Sequence, residues 1–304
     1  MKIIGHKKQI NFLESILGSE KIPQAYLFSG PESLGKFFIA EIFADSLNRG
    51  RKTLFRDDGA ERINNANVEI LSPETTEKRG IVKIKKIEIE RVREVQKRLS
   101  LYPLSGKFRI LIIDGAHNLS VSAQNALLKI LEEPNGTAVI ILVTHEEGAV
   151  LDTIKSRCQK LNFNLVALDD IRKSFAEKMD EKDAEKLSIF SMGRPGEAER
   201  LIKGEEELEE KEVFLKSFKD LSSMDLVSRF DLAENYSKNI PKTSKAFEFW
   251  IWFLRVRIFS DLEKNKEKIK RYYQAIERID ECAKKIKNPG LNSRLIIENL
   301  FLDL

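Results

Sequence analysis

The chain has 304 residues, of which 42% are hydrophobic and 33% are charged, and its formal net charge is +4. Ordinary hydrophobic content with so small a net charge excludes an intrinsically disordered protein, and the length suggests two or three domains. No apolar run approaches the roughly 18 residues that span a bilayer. Charged residues also interrupt the first stretch too soon for a secretory signal, so we expect a cytoplasmic protein that makes no membrane contact.

The spacing of cysteine and histidine disfavours metal chemistry built on them. Cys158 and Cys282 match no metal-ligand or redox spacing, which predicts neither a zinc site nor a disulfide. The three histidines, His6, His117 and His145, are scattered along the chain. The sequence therefore predicts no metal held by these residues, and leaves only carboxylates to hold Mg²⁺.

The near-neutral total conceals an uneven distribution of charge. The net charge is +5 over residues 1–163, −7 over 164–234 and +6 over 235–304. The stretch 78–109 alone holds 11 basic residues against 3 acidic ones. This succession of basic, acidic and basic segments suggests three modules.

The first 163 residues alternate strand and helix patterns. Short apolar runs that end at loops predict strands covered on both faces, and apolar residues at helical spacing predict helices between them. The predicted strands are 25–29, 108–113 and 137–143, and the predicted helices are 36–47 and 122–133. Residues 81–99 add a short strand followed by a helix over Ile89–Leu99. This alternation predicts a parallel α/β sheet with right-handed crossovers.

Beyond residue 163 the pattern predicts helices only. The predicted domains are an α/β domain over 1–163, a small helical domain over 164–207 and an all-helical domain over 208–304. In the last domain the run 247–254 is too apolar for an exposed helix. It predicts either the centre of a helical bundle or a subunit contact along one edge.

A glycine-rich loop follows the first of these strands. Gly30, Gly35 and Lys36 stand where a Walker A loop requires them, with glycines that let backbone amides close around phosphates and a lysine that reaches the β- and γ-phosphates. The next position departs from the motif, because Phe37 has no hydroxyl for Mg²⁺. The alternative is a chance glycine-rich turn before a helix.

The second part of such a site is an apolar strand that ends in an aspartate. Asp114 closes an apolar run and would hold Mg²⁺, but Gly115 replaces the glutamate that commonly polarises the attacking water. The missing hydroxyl and the missing base each carry an effect on the order of 10²-fold or more, so we expect a very poor ATPase. The sequence leaves open whether nucleotide or phosphate still binds the loop.

Four separated motifs resemble one family in its own order. The runs 105–144 (SGKFRILIIDGAHNLSVSAQNALLKILEEPNGTAVIILVT) and 154–159 (IKSRCQ) resemble the AAA+ clamp loaders of DNA replication, and most of all the bacterial delta-prime family of DNA polymerase III. Residues 193–198 (GRPGEA) resemble the family's lid motif, and 292–300 resemble its closing collar helix. The resemblance implies a P-loop AAA+ domain, with a parallel sheet flanked by helices, followed by a helical lid and an all-α collar.

For function, the resemblance implies a catalytically silent clamp-loader subunit of the DNA polymerase III holoenzyme, a family commonly classed as DNA-directed DNA polymerase. Such a subunit would assemble with gamma/tau motor subunits and a delta subunit, and would act on primed DNA within that complex. It would meet the sliding clamp at most indirectly and would require no cofactor. The alternatives are an ATP-hydrolysing motor of the gamma/tau type and an independent basic nucleic-acid-binding protein.

The resemblance assigns a role to the motif Ser156-Arg157-Cys158. Arg157 would reach the ATP site of a neighbouring motor subunit as an arginine finger, a role that suits a permanently charged guanidinium. The alternative is an ordinary surface arginine. Cys158 is expected to be a packed residue, because no redox partner is near it in sequence. Thr144 falls at the family's first sensor position and Arg194 near its second, and we expect neither to sense nucleotide.

The resemblance also bears on DNA and zinc. A helix at the place of Ile89–Leu99 lines the central chamber of similar clamp loaders, so Arg93 and Lys97 would contact phosphates of the template, independently of sequence. The alternative is a solvated basic face or a subunit contact. Many members carry a four-cysteine zinc module, but residues 48–69 contain no cysteine. Zinc is therefore not expected. Residues 48–69 would form either a small metal-free module or only a loop.

Overall fold

A computed structural model describes residues 3–54, 67–78, 81–103, 107–133, 136–261 and 266–304. The strands among them are β1 (Ala25–Ser29), β2 (Val68–Leu71), β3 (Thr75–Lys78), β4 (Ile81–Ile84), β5 (Arg109–Asp114), β6 (Ala138–Thr144) and β7 (Gln159–Asn162). The helices are α1 (Lys7–Leu17), α2 (Lys36–Arg49), α3 (Ile89–Leu99), α4 (Val121–Glu132), α5 (Asp152–Lys155), α6 (Leu168–Ala176), α7 (Glu181–Phe190), α8 (Pro195–Lys203), α9 (Glu205–Asp220), α10 (Leu226–Ser237), α11 (Ile240–Asp261), α12 (Lys266–Lys285) and α13 (Ser293–Asp303).

These elements form two compact units. The first comprises Met1–Ile171 together with Arg194–Gly196, and the second comprises Arg172–Gly193 together with Glu197–Leu304. The strands of the described residues all belong to the first unit, and the second is helical. The further division into domains over 1–163, 164–207 and 208–304 stays a prediction.

A parallel sheet forms the centre of the first unit, with the order β2-β5-β6-β1-β7 among the described residues. Its central strands β1, β5 and β6 are buried almost throughout, because helices cover both faces. These are the strands that the sequence predicts, and the predicted fold class is confirmed. The edge strands β2 and β7 are not predicted, because only Leu71 and Leu161 are buried in them and neither strand forms an apolar run.

Alternate residues of the central strands enter two cores on opposite faces of the sheet. Ile110 and Ile112 belong to one core, which contains the buried hydrophobic residues of α1 and α2. Leu111 and Ile113 belong to the other, which contains the buried hydrophobic residues of α3 and α4. The carboxyl ends of β1, β5 and β6 therefore meet at one edge between the two helical layers, the usual place for a ligand site in such a sheet.

Helix α3 and the segment before it contact α4 and the residues just before α4. The antiparallel strands β3 and β4 pair apart from the main sheet, and Ile87 then forms a bridge to Leu119. Gln96 of α3 donates from Nε2 to the Ala126 carbonyl oxygen of α4 at 2.7 Å. The short strand and the helix Ile89–Leu99 that the sequence predicts are both confirmed.

Helix α11 forms the centre of the second unit, where it packs against α7, α9, α10 and α12. Phe247, Phe249 and Trp250 are fully buried, and Trp250 Nε1 donates to the Phe214 carbonyl oxygen at 2.8 Å. The core prediction for residues 247–254 is therefore confirmed, whereas the subunit contact stays a prediction. Beyond β7 the described residues contain no strand, as predicted.

None of the helices in the described part of the chain is both long enough and apolar enough to cross a membrane.

Candidate functional site

The glycine-rich loop of residues 30–35 connects β1 to α2, as the sequence predicts. Gly30, Ser33 and Gly35 have φ angles of 143°, 60° and 82°, which turn the chain sharply into the helix. A Cβ atom at Gly30 would lie 2.0 Å from the Phe163 carbonyl oxygen, so only glycine fits there. The loop thus has the strand before it and the helix after it that a phosphate-binding loop needs.

The ammonium group of Lys36 is held by the loop itself. Lys36 is 5% exposed, and its Nζ donates to the carbonyl oxygens of Gly30 at 2.6 Å and Pro31 at 2.5 Å. Hydrogen bonds from a charged donor are the strong ones. Two of the three N–H donors of this lysine are therefore used within its own loop.

Two further carbonyl oxygens of the loop also have partners in the first unit. The Gly196 N–H donates to the Ser33 oxygen at 2.8 Å, and His6 Nε2 lies 3.1 Å from the Leu34 oxygen. A Cβ atom at Gly196 would lie 2.8 Å from that same Ser33 oxygen. The second glycine of the GRPGEA motif is thus required for a close backbone contact with the loop.

A cavity of about 410 Å³ opens beside the loop at the carboxyl edge of the sheet. The polar residues that line it are Glu32, Ser33, Lys36, Asp114, His117, Asn118, Thr144 and His145. Phe37 lines it as well, so the side chain at the position that normally supplies a hydroxyl ligand is aromatic. Neither Arg157 nor Arg194 belongs to the lining.

Lys36 and Asp114 influence each other's charge in this cavity. Burial lowers the pKa of Lys36 to about 8, and the negative charges of Asp114 and Glu32 oppose the shift. Burial raises the pKa of Asp114, and the positive charge of Lys36 opposes that shift. The structure thus places the loop lysine and the strand-end aspartate in one site.

Two histidines that are far apart in the sequence are in contact at this site. The ring centroids of His117 and His145 are 3.9 Å apart, because the two residues follow the neighbouring strands β5 and β6. The two histidines are separated in the sequence but adjacent in the fold. The sequence feature that could have predicted this contact is that each histidine lies just after a predicted strand. The carboxyl ends of the strands of a parallel sheet meet at one edge.

His117 and Thr144 form a chain of hydrogen bonds with the adjacent backbone. Asn118 Nδ2 lies 2.9 Å from His117 Nε2, and His117 Nδ1 lies 3.2 Å from Thr144 Oγ1, which also accepts the Glu146 N–H at 3.1 Å. Burial, followed by the charge of His145, lowers the pKa of His117. In the described residues, no group of three or more His, Cys, Asp or Glu side chains is arranged to hold a metal ion.

Arg157 lies on the surface of the first unit, in the turn after α5. Its Nη1 donates to the Thr153 carbonyl oxygen at 2.9 Å and to Ser156 Oγ at 3.4 Å, and its Nη2 donates to Glu132 Oε1 at 2.9 Å. The side chains of Arg157 and Glu132 are 37% and 52% exposed. The guanidinium is therefore accessible to another molecule.

Gln124 holds the segment before Arg157 against α4, a role that the sequence does not suggest. Gln124 is buried, its Nε2 donates to the Ala149 carbonyl oxygen at 3.0 Å, and its Oε1 accepts the Leu151 N–H at 2.8 Å. Ile154 of α5 is fully buried in the core that contains the buried residues of α3. A polar residue on the buried face of an amphipathic helix was the signal that could have revealed it.

Cys158 packs against the core that contains α3 and α4, and burial raises the pKa of its thiol to about 12. A thiol with so high a pKa is a poor nucleophile, so the prediction of a packed residue is confirmed. Both Cys158 and Cys282 are free thiols.

The basic residues of α3 divide into two groups. Arg91 donates to the Ser72 carbonyl oxygen at 2.9 Å, and Arg98 forms an ion pair with Glu69 at 2.9 Å. Arg93 and Lys97 lie one turn apart on the exposed side, and neither has an ion pair in the part of the chain that the structure describes. Among the basic residues of α3, Arg93 and Lys97 are therefore the ones available to an external partner.

Parts of several sequence features lie outside the described residues. These are residues 55–66 of the cysteine-free segment 48–69, residues 105–106 at the start of the family-like run, and residues 134–135 after the predicted helix 122–133. Arg194, near the second sensor position, is described and half-buried.

The chain is similar in sequence to subunits of DNA polymerase III. A family model described as "DNA polymerase III, delta subunit" matches residues 5–167. DNA polymerase III subunit tau of Bacillus subtilis is 27% identical over 249 residues, which cover 80% of this chain and 39% of that protein. DNA polymerase III subunit delta' of Pseudomonas aeruginosa is 29% identical over 194 residues, which cover 60% of this chain and 57% of that protein.

Among solved structures, a DNA polymerase III gamma subunit-related protein from Thermotoga maritima is similar to this chain, with 18% identity, coverage of 97% of both chains and a TM-score of 0.44. The chain spans between 28% and 61% of the length of the first curated relatives that it matches. Because the family model matches more than half of its residues, the chain belongs to the family described as DNA polymerase III, delta subunit.

Proposed function

We propose that this chain is a catalytically silent clamp-loader subunit that donates Arg157 in trans to the ATP site of a gamma/tau-type motor subunit. The observation that carries the proposal is the contrast between a loop that binds its own lysine and an exposed arginine outside the loop cavity. The first feature opposes hydrolysis within this chain. The second offers a permanent cation to a neighbour, where it would stabilise charge that develops during phosphoryl transfer.

Three features of the loop cavity work against hydrolysis. Two N–H donors of Lys36 are bonded to the loop, Phe37 offers no oxygen to Mg²⁺, and Gly115 offers no carboxylate to activate water. Phosphoryl transfer needs a positioned phosphate, a bound Mg²⁺ ion and a base that activates water. We expect negligible turnover because this site is deficient in all three. The residues present therefore do not fit a hydrolysing magnesium–nucleotide site. In this proposal Gly30, Gly35 and the third N–H donor of Lys36 contribute only to residual phosphate binding, and Asp114 would meet a phosphate only through Mg²⁺.

The relatives supply the partners in this proposal. They are named as tau, gamma/tau and delta' subunits of DNA polymerase III, so we propose a cytoplasmic hetero-oligomer with gamma/tau-type and delta-type subunits. Arg93 and Lys97 would contact backbone phosphates of primed DNA inside that complex. The sliding clamp would be contacted at most indirectly.

An ATP-hydrolysing motor of the gamma/tau type is the second candidate. Two observations favour it, since relatives include tau subunits and since Lys36 and Asp114 line one cavity at the carboxyl edge of the sheet. In that case the isolated chain would hydrolyse ATP at a rate comparable to that of motor subunits, and Lys36→Ala would abolish the activity.

ATPase assays on the isolated chain and on the reconstituted complex test the proposal. We expect no turnover by the isolated chain. We expect Arg157→Ala to lower turnover at the neighbouring ATP site by about 10³-fold while the complex still assembles, because a finger of this kind stabilises the transition state.

The matched control is Arg49→Ala, which removes another exposed arginine of the first unit that is also paired with a carboxylate, that of Asp45. This variant should keep full turnover. Unchanged turnover in Arg157→Ala would rule out the finger, and hydrolysis by the isolated chain would favour the motor.

A further inference from the structure

Glu132, at the C-terminal end of α4, is the one acidic partner of Arg157 in the described residues. Lys155, the basic residue of the helix just before the turn, is already paired with Asp152 at 2.7 Å. The guanidinium of Arg157 and the carboxylate of Glu132 therefore neutralise each other at the surface.

The guanidinium is only partly saturated by these contacts. It uses three of its five N–H donors, for Thr153, Ser156 and Glu132. The Nε–H and the second Nη2–H have no hydrogen-bond partner in the part of the chain that the structure describes. These two donors are left for an anion from outside the chain.

The pair is built so that an external anion can replace the carboxylate. Both side chains are more than a third exposed, and ion pairs of such exposure are weak and screened by salt. A nucleotide phosphate carries more charge than a carboxylate and also matches the planar guanidinium. Phosphate would therefore displace Glu132 with little loss.

The fold fixes the position of the pair through a single helix. Gln124 of α4 holds residues 149–151, which lead into α5 and the turn that carries Arg157. Glu132 lies two turns further along the same helix. The arginine and its counterion thus have a common support.

We propose that Glu132 is a positioning residue for Arg157. The Glu132 carboxylate holds the guanidinium at the surface of the free chain and releases it to a phosphate of the neighbouring subunit's nucleotide. This inference rests on the proposed function, because it needs an ATP site in a neighbour. The carboxylate competes with phosphate in the ground state and in the transition state alike. It therefore raises the ATP concentration for half-maximal turnover without changing maximal turnover.

Chemical modification of the isolated full chain tests the pair without any partner. We expect phenylglyoxal, an arginine-selective reagent, to modify Arg157 about two- to five-fold faster in Glu132→Gln than in the wild type, which is the factor that an exposed ion pair supplies. Peptide mass spectrometry measures the rate. Glu133→Gln is the matched control, because it removes the same charge from an exposed neighbour that forms no ion pair in the described residues. Equal rates in all three proteins would overturn the proposal.

Steady-state ATPase kinetics of the reconstituted complex test the exchange. At low ionic strength we expect Glu132→Gln to lower the half-saturating ATP concentration by about two- to five-fold with unchanged maximal turnover, and added salt to reduce the effect. The same substitution in an Arg157→Ala background should change nothing. A purely structural role would instead lower maximal turnover or the folded fraction, and a half-saturating concentration that is unchanged or raised would overturn the proposal.

The two proposals fail in different ways. If Arg157→Ala lowers turnover but Glu132→Gln leaves the half-saturating ATP concentration unchanged, the exchange is wrong and the proposed function stands. If Arg157→Ala has no effect on turnover, the proposed function fails, and the exchange fails with it whatever protection the isolated chain shows.

Discussion

Lys36 is a buried cation whose ammonium group is bonded to two carbonyl oxygens of its own loop. Because burial disfavours the charged form, the pKa of this lysine is lowered to about 8, and the nearby charges of Asp114 and Glu32 limit the shift. The side chain that a motor subunit would use on a phosphate therefore behaves here as an internal part of the loop.

The lowered pKa of Lys36 predicts a dependence of stability on pH. Lys36 titrates near 10.5 in the unfolded chain and near 8 in the folded chain, so the unfolded chain binds more protons between these values and stability rises with pH through this window. Between about pH 7.5 and about pH 9.5 we expect the free energy of unfolding to rise by about 2 kcal/mol relative to Lys36→Met.

Urea denaturation of the two proteins at both pH values measures this difference. Lys52→Met, which removes an exposed lysine from the same unit, is the matched control and should show no such change relative to the wild type. A difference between wild type and Lys36→Met that is constant or shrinks with pH would contradict the prediction.

The loop between β1 and α2 is stabilised by residues far from it in the chain. Gly196 donates its N–H to the Ser33 oxygen, and His6 contacts the Leu34 oxygen. Together with Lys36, these donors pair with four successive or nearly successive carbonyls of one short loop. The loop between β1 and α2 is therefore held in its conformation by hydrogen bonds to its carbonyl oxygens.

Gly196→Ala is expected to destabilise the chain by about 1–3 kcal/mol, because backbone atoms on both sides must shift. The new Cβ would lie 2.8 Å from the Ser33 oxygen. This outweighs the gain of about 1 kcal/mol that alanine brings to a helix. The midpoint of urea denaturation measures the effect, with Gly148→Ala as control because a Cβ there meets nothing within 4 Å. Equal midpoints for the two variants would contradict the conclusion that the contact between Gly196 and the loop stabilises the fold.

At the scale of the whole molecule, a net charge of +4 conceals segments of opposite sign. Many basic residues are also engaged within the chain, as Arg98 is with Glu69 and Arg157 with Glu132. The charge that is left for DNA is small, so strong binding by the chain alone is not expected. Under the proposed function, this chain therefore contacts DNA as one part of an assembly.

Replacement of both Arg93 and Lys97 by alanine is expected to weaken DNA binding by the assembled complex at every sequence. The slope of log affinity against log salt should become shallower by about 1–2, because each lost phosphate contact removes roughly 0.9 from it. Fluorescence titrations at several salt concentrations measure the slope. Arg98→Ala on the same helix is the control, since its guanidinium is bound to Glu69. A double variant with the wild-type slope would exclude these residues from the DNA contact.

Prediction from the sequence succeeds where a structure is encoded locally. Strands β1, β5 and β6 and helix α3 are predicted because continuous apolar runs and helical spacing are local patterns. The edge strands β2 and β7 are missed because pairing with one neighbour needs no apolar run. The His117–His145 contact is missed because it depends on which strands are adjacent.

The sequence by itself determined the chemical identity of each position: a loop lysine and a strand-end aspartate, no hydroxyl at Phe37, no base at Gly115, and an arginine at 157. These are local facts that no packing can change. Only the tertiary structure decided that Lys36 is bonded to its own loop, that Gly196 braces that loop, and that Glu132 neutralises Arg157. The last two contacts join residues far apart in the chain, and all three depend on how strands, helices and turns pack, which no local pattern encodes.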